Sequence, residues 1–226
     1  NALYFAPAPA VRQAVRRGGL GSLNPLPQAL MVVSTFAWVC YALSKPDVYI
    51  MLSNAPGCIV SLWYLTSVLP LIPRDAVRER VLVQATILCG AACLLTLSMV
   101  LVLGGVPAES RSFSFGLFGS LVCVLLFASP LSTVREVLAR ANASSIYAPL
   151  TAAQCINCST WCVYGFAIGD PWVWGPNSTG LALGLVQLAL KMSFPSDTTP
   201  AAAVESKRLV GKVSSDDESL DSCSEA

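Results

Sequence analysis

The sequence predicts an all-α membrane protein of seven helices in a 3+1+3 arrangement: two parallel triple-helix bundles joined by a linker helix. Three observations lead there. Of 226 residues, 54% are hydrophobic and only 12% charged, with a mean hydropathy of +0.63; a soluble domain carries about 25% charged residues. Long apolar runs alternate with short polar ones. The chain also repeats itself at a shift of 123 residues.

Residues 1–10, NALYFAPAPA, are apolar but too short for a bilayer, which takes about 20 residues. No basic stretch or cleavage site makes them a signal peptide. They are expected to be the back half of a truncated first helix. Full spans are expected at 26–44, 48–72, 81–104, 114–134, 148–168 and 173–192. Proline and glycine inside several of them are tolerated where neighbouring groups satisfy the freed backbone. The organisation is then a first repeat over 1–72, a linker helix with its loops over 73–113, a second repeat over 114–194 and a tail over 195–226. The tail is rich in Ser, Asp and Glu and is expected to be disordered. Ser214 and Ser215 precede acids and are candidate phosphorylation sites, although a merely solubilising tail is the simpler reading.

Charge placement sets the orientation. Seven spans put Arg12, Arg16, Arg17, Arg74, Arg78, Arg80, Arg135, Arg140, Lys191, Lys207, Arg208 and Lys212 on one side, and only Lys45 and Arg111 on the other. By the positive-inside rule the first side, with the C-terminus, is cytosolic.

The repeat aligns residues 1–69 with 124–192 without a gap. Pro7 falls on Pro130, Arg12 on Arg135 and Arg17 on Arg140. Trp38 and Tyr41 fall on Trp161 and Tyr164, Asp47 on Asp170, Asn54 on Asn177, and Gly57 on Gly180. Three spans plus a linker return the second half to the orientation of the first, so the repeats are parallel, related by an axis along the membrane normal.

The repeated polar residues are the candidate site. Ser34, Trp38 and Tyr41 lie at i, i+4 and i+7, as do Asn157, Trp161 and Tyr164. Each set forms one stripe on an otherwise apolar helix. An interfacial aromatic belt accounts for the two tyrosines near the outer ends, and less well for the deeper tryptophans. Asn54 and Asn177 are amides inside the membrane, which are costly unless partnered. One reading is an interhelical packing bond. The other is a ligand cavity near the symmetry axis, where amides bond hydroxyls and indole faces stack on the C–H face of a sugar ring. Two indoles facing one another leave a narrow cavity, which favours a monosaccharide over sucrose. Gly57-x-x-x-Ser61 and Gly180-x-x-x-Gly184 are small-residue pairs that permit close helix packing.

Other classes are disfavoured. A net charge of +1 gives no electrostatic case for nucleic acid. There are nine cysteines and no histidine. Cys155-x-x-Cys158-x-x-x-Cys162 lacks the second pair that a zinc site needs, and small apolar packing is the better reading. No cofactor, metal or catalytic group is expected. No Asp, Glu, Lys or Arg lies in the interior of any span, which argues against a proton relay; Asp47 and Asp170, at the outer membrane edge, are placed for a gate. Three N-glycosylation patterns, at Asn142, Asn157 and Asn177, fall in the cytosol or the membrane by this topology and are discounted.

The second half, from Ser129 to Leu190, with Trp161-x-x-Tyr164-Gly165, Asp170-Pro171 and Pro176-Asn177-x-x-Gly180, resembles the SWEET (MtN3/saliva) family of sugar facilitators. The first half, from Ala6 to Leu69, carries the same pattern, including PLPQALMVVSTFAWVCYAL. Ala42, where the family has glycine, and Trp38, where some members have a small residue, depart from it. The resemblance implies a bidirectional uniporter for mono- or disaccharides, working by alternating access. It implies that Asn54 and Asn177 bind the sugar and that Trp161 lines the pocket, with Trp38, Ser34 and Asn157 beside them by the repeat. Pro7, Pro27, Pro130 and Pro149 would be hinges. Tyr41 and Asp170 would close an outer gate, with Tyr164 and Asp47 as their repeat counterparts. The expected partners are a small sugar, membrane lipid and further copies of the chain, in the plasma membrane. Pro27-Gln28 also resembles the PQ-loop amino-acid carriers, which would want an intramembrane acid and a second PQ pair. A non-transporting receptor of the same fold would want a charged cavity.

Overall fold

The computed structural model describes residues 2–21 and 23–195. Ser214, Ser215 and the tail beyond Pro195 lie outside the described residues. Among those described, the elements are α1 (Ala2–Phe5), α2 (Ala8–Arg17), α3 (Leu26–Ser44), α4 (Val48–Val68), a 3-10 turn at Leu69–Leu71, α5 (Val77–Leu103), α6 (Ala108–Leu126), α7 (Ala128–Arg140), α8 (Ala148–Ala167) and α9 (Pro171–Ser193).

Helix ends follow local chemistry. Asp47 caps α4 by accepting from the Ile50 N–H at 3.0 Å, and Asp170 caps α9 by accepting from the Trp172 N–H at 3.1 Å. Pro27, Pro149 and Pro171 sit in the first turns of α3, α8 and α9, where a missing N–H costs no intrahelical bond. In each repeat the first helix is split. In the first half the break lies at Ala6–Pro7, between α1 and α2; in the second it lies at Phe127, between α6 and α7. Pro7 and Pro130 each lack the N–H that would continue the ladder across the break. The single span expected at 114–134 is therefore two helices reaching from Ala108 to Arg140. The linker α5 also starts earlier than its apolar run, at Val77. There Arg80 donates to the Ile72 carbonyl at 2.6 Å and ties the helix to the preceding loop.

Packing obeys the repeat. α3 packs on α4 as α8 packs on α9; α4 meets α1 and α2 as α9 meets α6 and α7. The halves join where α3 packs on α6 and, equivalently, α1 on α8. The linker breaks the symmetry by packing on α3 and α6, where Gly90 lets it approach closely: a Cβ there would lie 2.5 Å from Val33 Cγ2.

Among the described residues, four segments are long and apolar enough to cross a membrane by length and composition: Leu26–Ser44, Val48–Leu71, Val77–Leu103 and Ala108–Arg140. At 19 residues and about 1.5 Å of rise each, α3 nearly matches a hydrocarbon core of about 30 Å. The spans expected at 148–168 and 173–192 are present as helices of 20 and 23 residues but fall short in apolarity. Gln154, Asn157 and Asn177 are among the residues that dilute them, and these face an internal cavity rather than lipid.

Gly18 ends α2 in the left-handed region at φ 67°, and its counterpart Ala141 ends α7 there too, at φ 49°. A Cβ in that conformation costs about 1–2 kcal/mol, part of which glycine's extra unfolded-state freedom offsets. Ala141→Gly should therefore raise stability by up to about 1 kcal/mol. Thermal unfolding of the detergent-solubilised chain checks this, and a lowered midpoint would contradict it.

Candidate functional site

A cavity of about 400 Å³ lies between the two halves, within the size range of small-molecule sites. Ser34, Trp38, Asn54, Asn157, Trp161 and Asn177 all line it. Residues that share only a repeat register in the sequence thus share one wall-to-wall space.

The amides are held alike. Asn54 Nδ2 donates to the Ile50 carbonyl at 2.9 Å, and Asn177 Nδ2 donates to the Val173 carbonyl at 2.7 Å. Both are bonds to the residue four back, at positions in register. A carbonyl can only accept, so each NH₂ is turned to its own helix and each amide oxygen away from it. Their surroundings then differ. Tyr4 Oη donates to Asn54 Oδ1 at 3.1 Å, whereas the position equivalent to Tyr4 is Phe127, which has no hydroxyl. The indoles are also held alike: Trp38 packs edge-on against Tyr41 with centroids 5.5 Å apart, and Trp161 against Tyr164 at 5.8 Å.

Those tyrosines form the next layer, and they cross between repeats. Tyr41 Oη donates to Asp170 Oδ2, and Tyr164 Oη donates to Asp47 Oδ2 at 2.7 Å. Each aspartate caps its own helix with one oxygen and receives a tyrosine of the other repeat with the second. Asp170 is 1% exposed and also receives Lys45 Nζ at 2.6 Å. Lys45 has no counterpart, because the equivalent position is Ile168.

At the other end lie the helix breaks. Tyr64 Oη donates to the Tyr4 carbonyl at 2.7 Å, and the equivalent Gln187 Nε2 donates to the Pro130 carbonyl at 3.2 Å. Side chains of the third helix of each repeat thus hold the split first helix. Of the four prolines implied as hinges, Pro7 and Pro130 stand at or next to the breaks, and Pro27 and Pro130 line the cavity; Pro149 does not line it. The prolines inside helices are Pro56 in α4 and Pro176 in α9, and Pro176 lines the cavity.

Tyr4, Gln154, Cys123 and Phe127 line the cavity and escaped the sequence reading. Gln154 was legible, since it precedes Asn157 and Trp161 at i, i+3, i+7. Cys123 was not, because its repeat counterpart falls before residue 1. The small residues pack as expected: the Tyr4 ring lies on Gly57, the equivalent Phe127 ring on Gly180, Cys155 Sγ on Gly184, and Thr35 Oγ1 lies 3.4 Å from Ser61 Oγ. Cys162 Sγ lies 3.4 Å from Ser178 Oγ and serves the α8–α9 contact, while Cys158 faces the cavity.

Known proteins resemble this chain. A family model described as sugar efflux transporter for intercellular exchange matches residues 2–74 and 113–199, which are the two repeats without most of the linker. The bidirectional sugar transporter SWEET16 of Oryza sativa subsp. japonica is 28% identical over 88% of this chain, which spans 60% of the rice protein's length. SWEET7 of Arabidopsis thaliana is 25% identical over 87% of this chain and 76% of its own. The sugar transporter SWEET1 of Rattus norvegicus is 26% identical over 83% and 82%. A solved structure of a eukaryotic SWEET transporter superposes with a TM-score of 0.73 over 84% of this chain and 88% of that one; at 20% identity it speaks to the fold.

The Tyr4–Gly57 contact makes a test of the packing behind the site. A Cβ at Gly57 would stand 2.7 Å from Tyr4 Cζ, and Tyr4 is fixed at its hydroxyl by Asn54 and at its carbonyl by Tyr64. Gly57→Ala should lower stability by about 1–3 kcal/mol, as overpacking does. Tyr4→Leu in the same chain should recover part of the loss in a thermal-unfolding assay. An unchanged midpoint for Gly57→Ala would show that the ring yields freely.

Proposed function

The chain belongs to the SWEET (MtN3/saliva) family, and from that membership we propose that it is a sugar uniporter working by alternating access. The observation that carries the reading is the convergence of Asn54, Asn177, Trp38 and Trp161, with Ser34 and Asn157, on one cavity between the repeats. The two indoles supply apolar faces for the C–H side of a sugar ring. The amides and hydroxyls supply hydrogen bonds that replace those of water. Among the described residues, no Asp, Glu, Lys or Arg lines the cavity, which supports passive movement down a gradient over ion coupling, and weighs against both an acid-bearing amino-acid carrier and a charged peptide receptor. This is transport without chemistry on the substrate, so no catalytic group is required.

The gate reading rests on the crossed pairs. Tyr41–Asp170 and Tyr164–Asp47 join the halves just beyond the indoles, so their intact bonds describe a state latched at that end. A hydrogen bond to a charged group contributes about 1.5–3 kcal/mol. Opening the latched end requires both to break, and bound sugar or movement at the breaks would offset that. Pro7 and Pro130, beside the breaks, are the better hinge candidates; Pro27 and Pro149, in first turns, would act by aiming α3 and α8. We place the arginine-rich end and the C-terminus in the cytosol and the aspartate end outside, in the plasma membrane, as a homo-oligomer.

Two measurements test this. Losing one hydrogen bond to a sugar hydroxyl in a dry site costs about 1–3 kcal/mol, roughly five- to a hundredfold in affinity. Asn54→Ala and Asn177→Ala should each cripple labelled-glucose uptake per molecule at the membrane while abundance holds. If the amides only pack helices, the loss is about 0.6 kcal/mol and uptake per molecule survives. Separately, a protonophore should leave the initial rate of glucose entry unchanged; abolition of entry would overturn the uniporter reading.

A further inference from the structure

Two thiols line the cavity, and neither belongs to the repeated set of residues. Cys123, on α6, has its sulfur 3.8 Å from Ser34 Oγ and packs against the cluster that contains Trp38. Cys158, on α8, receives Gln154 Nε2 at 3.4 Å, and its sulfur lies so close to Gly180 that a Cβ there would stand 3.0 Å from it. The two sulfurs thus approach the space from helices of the second repeat, and Cys123 reaches across to two of the candidate sugar contacts on α3. The other described cysteines differ. Cys89 and Cys93 are exposed on the linker helix α5, and Cys40, Cys58, Cys155 and Cys162 do not line the cavity.

We propose that Cys123 and Cys158 make this cavity a thiol-modification site, at which a soft electrophile such as an organomercurial blocks the sugar path. The inference rests on the proposed sugar site for its effect on transport, but not for the modification itself. The chemistry is ligand exchange on mercury. The cysteine sulfur forms a bond to mercury, the halide or hydroxide on mercury leaves, and the thiol proton goes to water; nothing is oxidised or reduced. An arylmercury group on Cys123 would stand beside Ser34 and Trp38, in a space of only about 400 Å³. On the proposed gate, the Tyr41–Asp170 and Tyr164–Asp47 bonds close one end, and a reagent would enter past Pro27 and Pro130.

The test uses the full chain in vesicles and p-chloromercuribenzenesulfonate, with labelled-glucose uptake as one readout and peptide mass mapping of adducts as the other. Each variant is scored against its own untreated rate. The parent chain should lose most of its uptake, regain it with dithiothreitol, and be inactivated several-fold more slowly in saturating glucose. The double variant Cys123→Ser/Cys158→Ser should keep most of its own rate. A double variant inactivated as fast as the parent overturns the proposal. So does an inactivated parent with no adduct at either thiol, or a parent that carries the adducts and transports undiminished. If the double variant does not transport at all, the parent's adduct map decides: adducts at Cys123 and Cys158 that glucose suppresses support the site, and adducts indifferent to glucose overturn it. If the parent moves no glucose, the sugar reading fails. The adduct map then still tests the thiols, and their failure to label would sink this inference as well.

Discussion

A membrane interior has no water to offer a polar group, and that constraint orders everything around the cavity. Each amide on the cavity wall that stands in register turns its NH₂ group back to the carbonyl four residues earlier, Asn54 to Ile50 and Asn177 to Val173. Each aspartate beyond the indoles divides its oxygens between a helix cap and a tyrosine of the opposite repeat. The backbone groups near the proline breaks are met in the same way, by Tyr64 and Gln187. A cavity able to receive a polar molecule is compatible with the fold because the groups that line it are already partly satisfied from behind.

The symmetry of these solutions is close but not complete, and the departures have a direction. The first repeat has Tyr4 where the second has Phe127, so one asparagine oxygen accepts a hydroxyl that the other lacks. The first repeat has Lys45 where the second has Ile168, so one aspartate carries an ion pair in addition to its tyrosine. Lys45 is 42% exposed, so solvent screens that pair and its contribution is small beside the buried tyrosine bond. The linker α5 packs mainly on α3 and more lightly on α6, on one side of the bundle's symmetry. Two halves that pack alike thus differ at the amides, at the tyrosine–aspartate pairs and on the outside.

Close approach is the second recurrent device. Gly57 and Gly180 accept an aromatic ring from the first helix of their own repeat, Gly116 accepts Trp172, and Gly119 accepts Trp38. In lipid there is no hydrophobic drive between helices, so association depends on such contacts and on interhelical hydrogen bonds. The aromatic rings that these glycines admit are cavity walls or their immediate supports, which couples the packing of the bundle to the shape of the site.

The amino-acid pattern by itself determined the helical membrane class, the 123-residue repeat and the six paired residues of the cavity, because each is a matter of composition or of a periodic spacing along one chain. The register alone was enough to pair Asn54 with Asn177 and Trp38 with Trp161. It could not say that Tyr41 would meet Asp170 rather than Asp47, since both aspartates follow a tyrosine by the same interval. That choice is made by the packing of α3 on α6 and α1 on α8, which brings the second helix of each repeat against the split first helix of the other. The split of the first helices, the polar walls of α8 and α9, and the places of Tyr4, Phe127 and Cys123 were likewise decided in three dimensions. Hydropathy averages over a helix and cannot tell a face turned to lipid from one turned to a cavity. A residue such as Cys123, with no repeat partner in this sequence, acquires its position only from the helices that close around it.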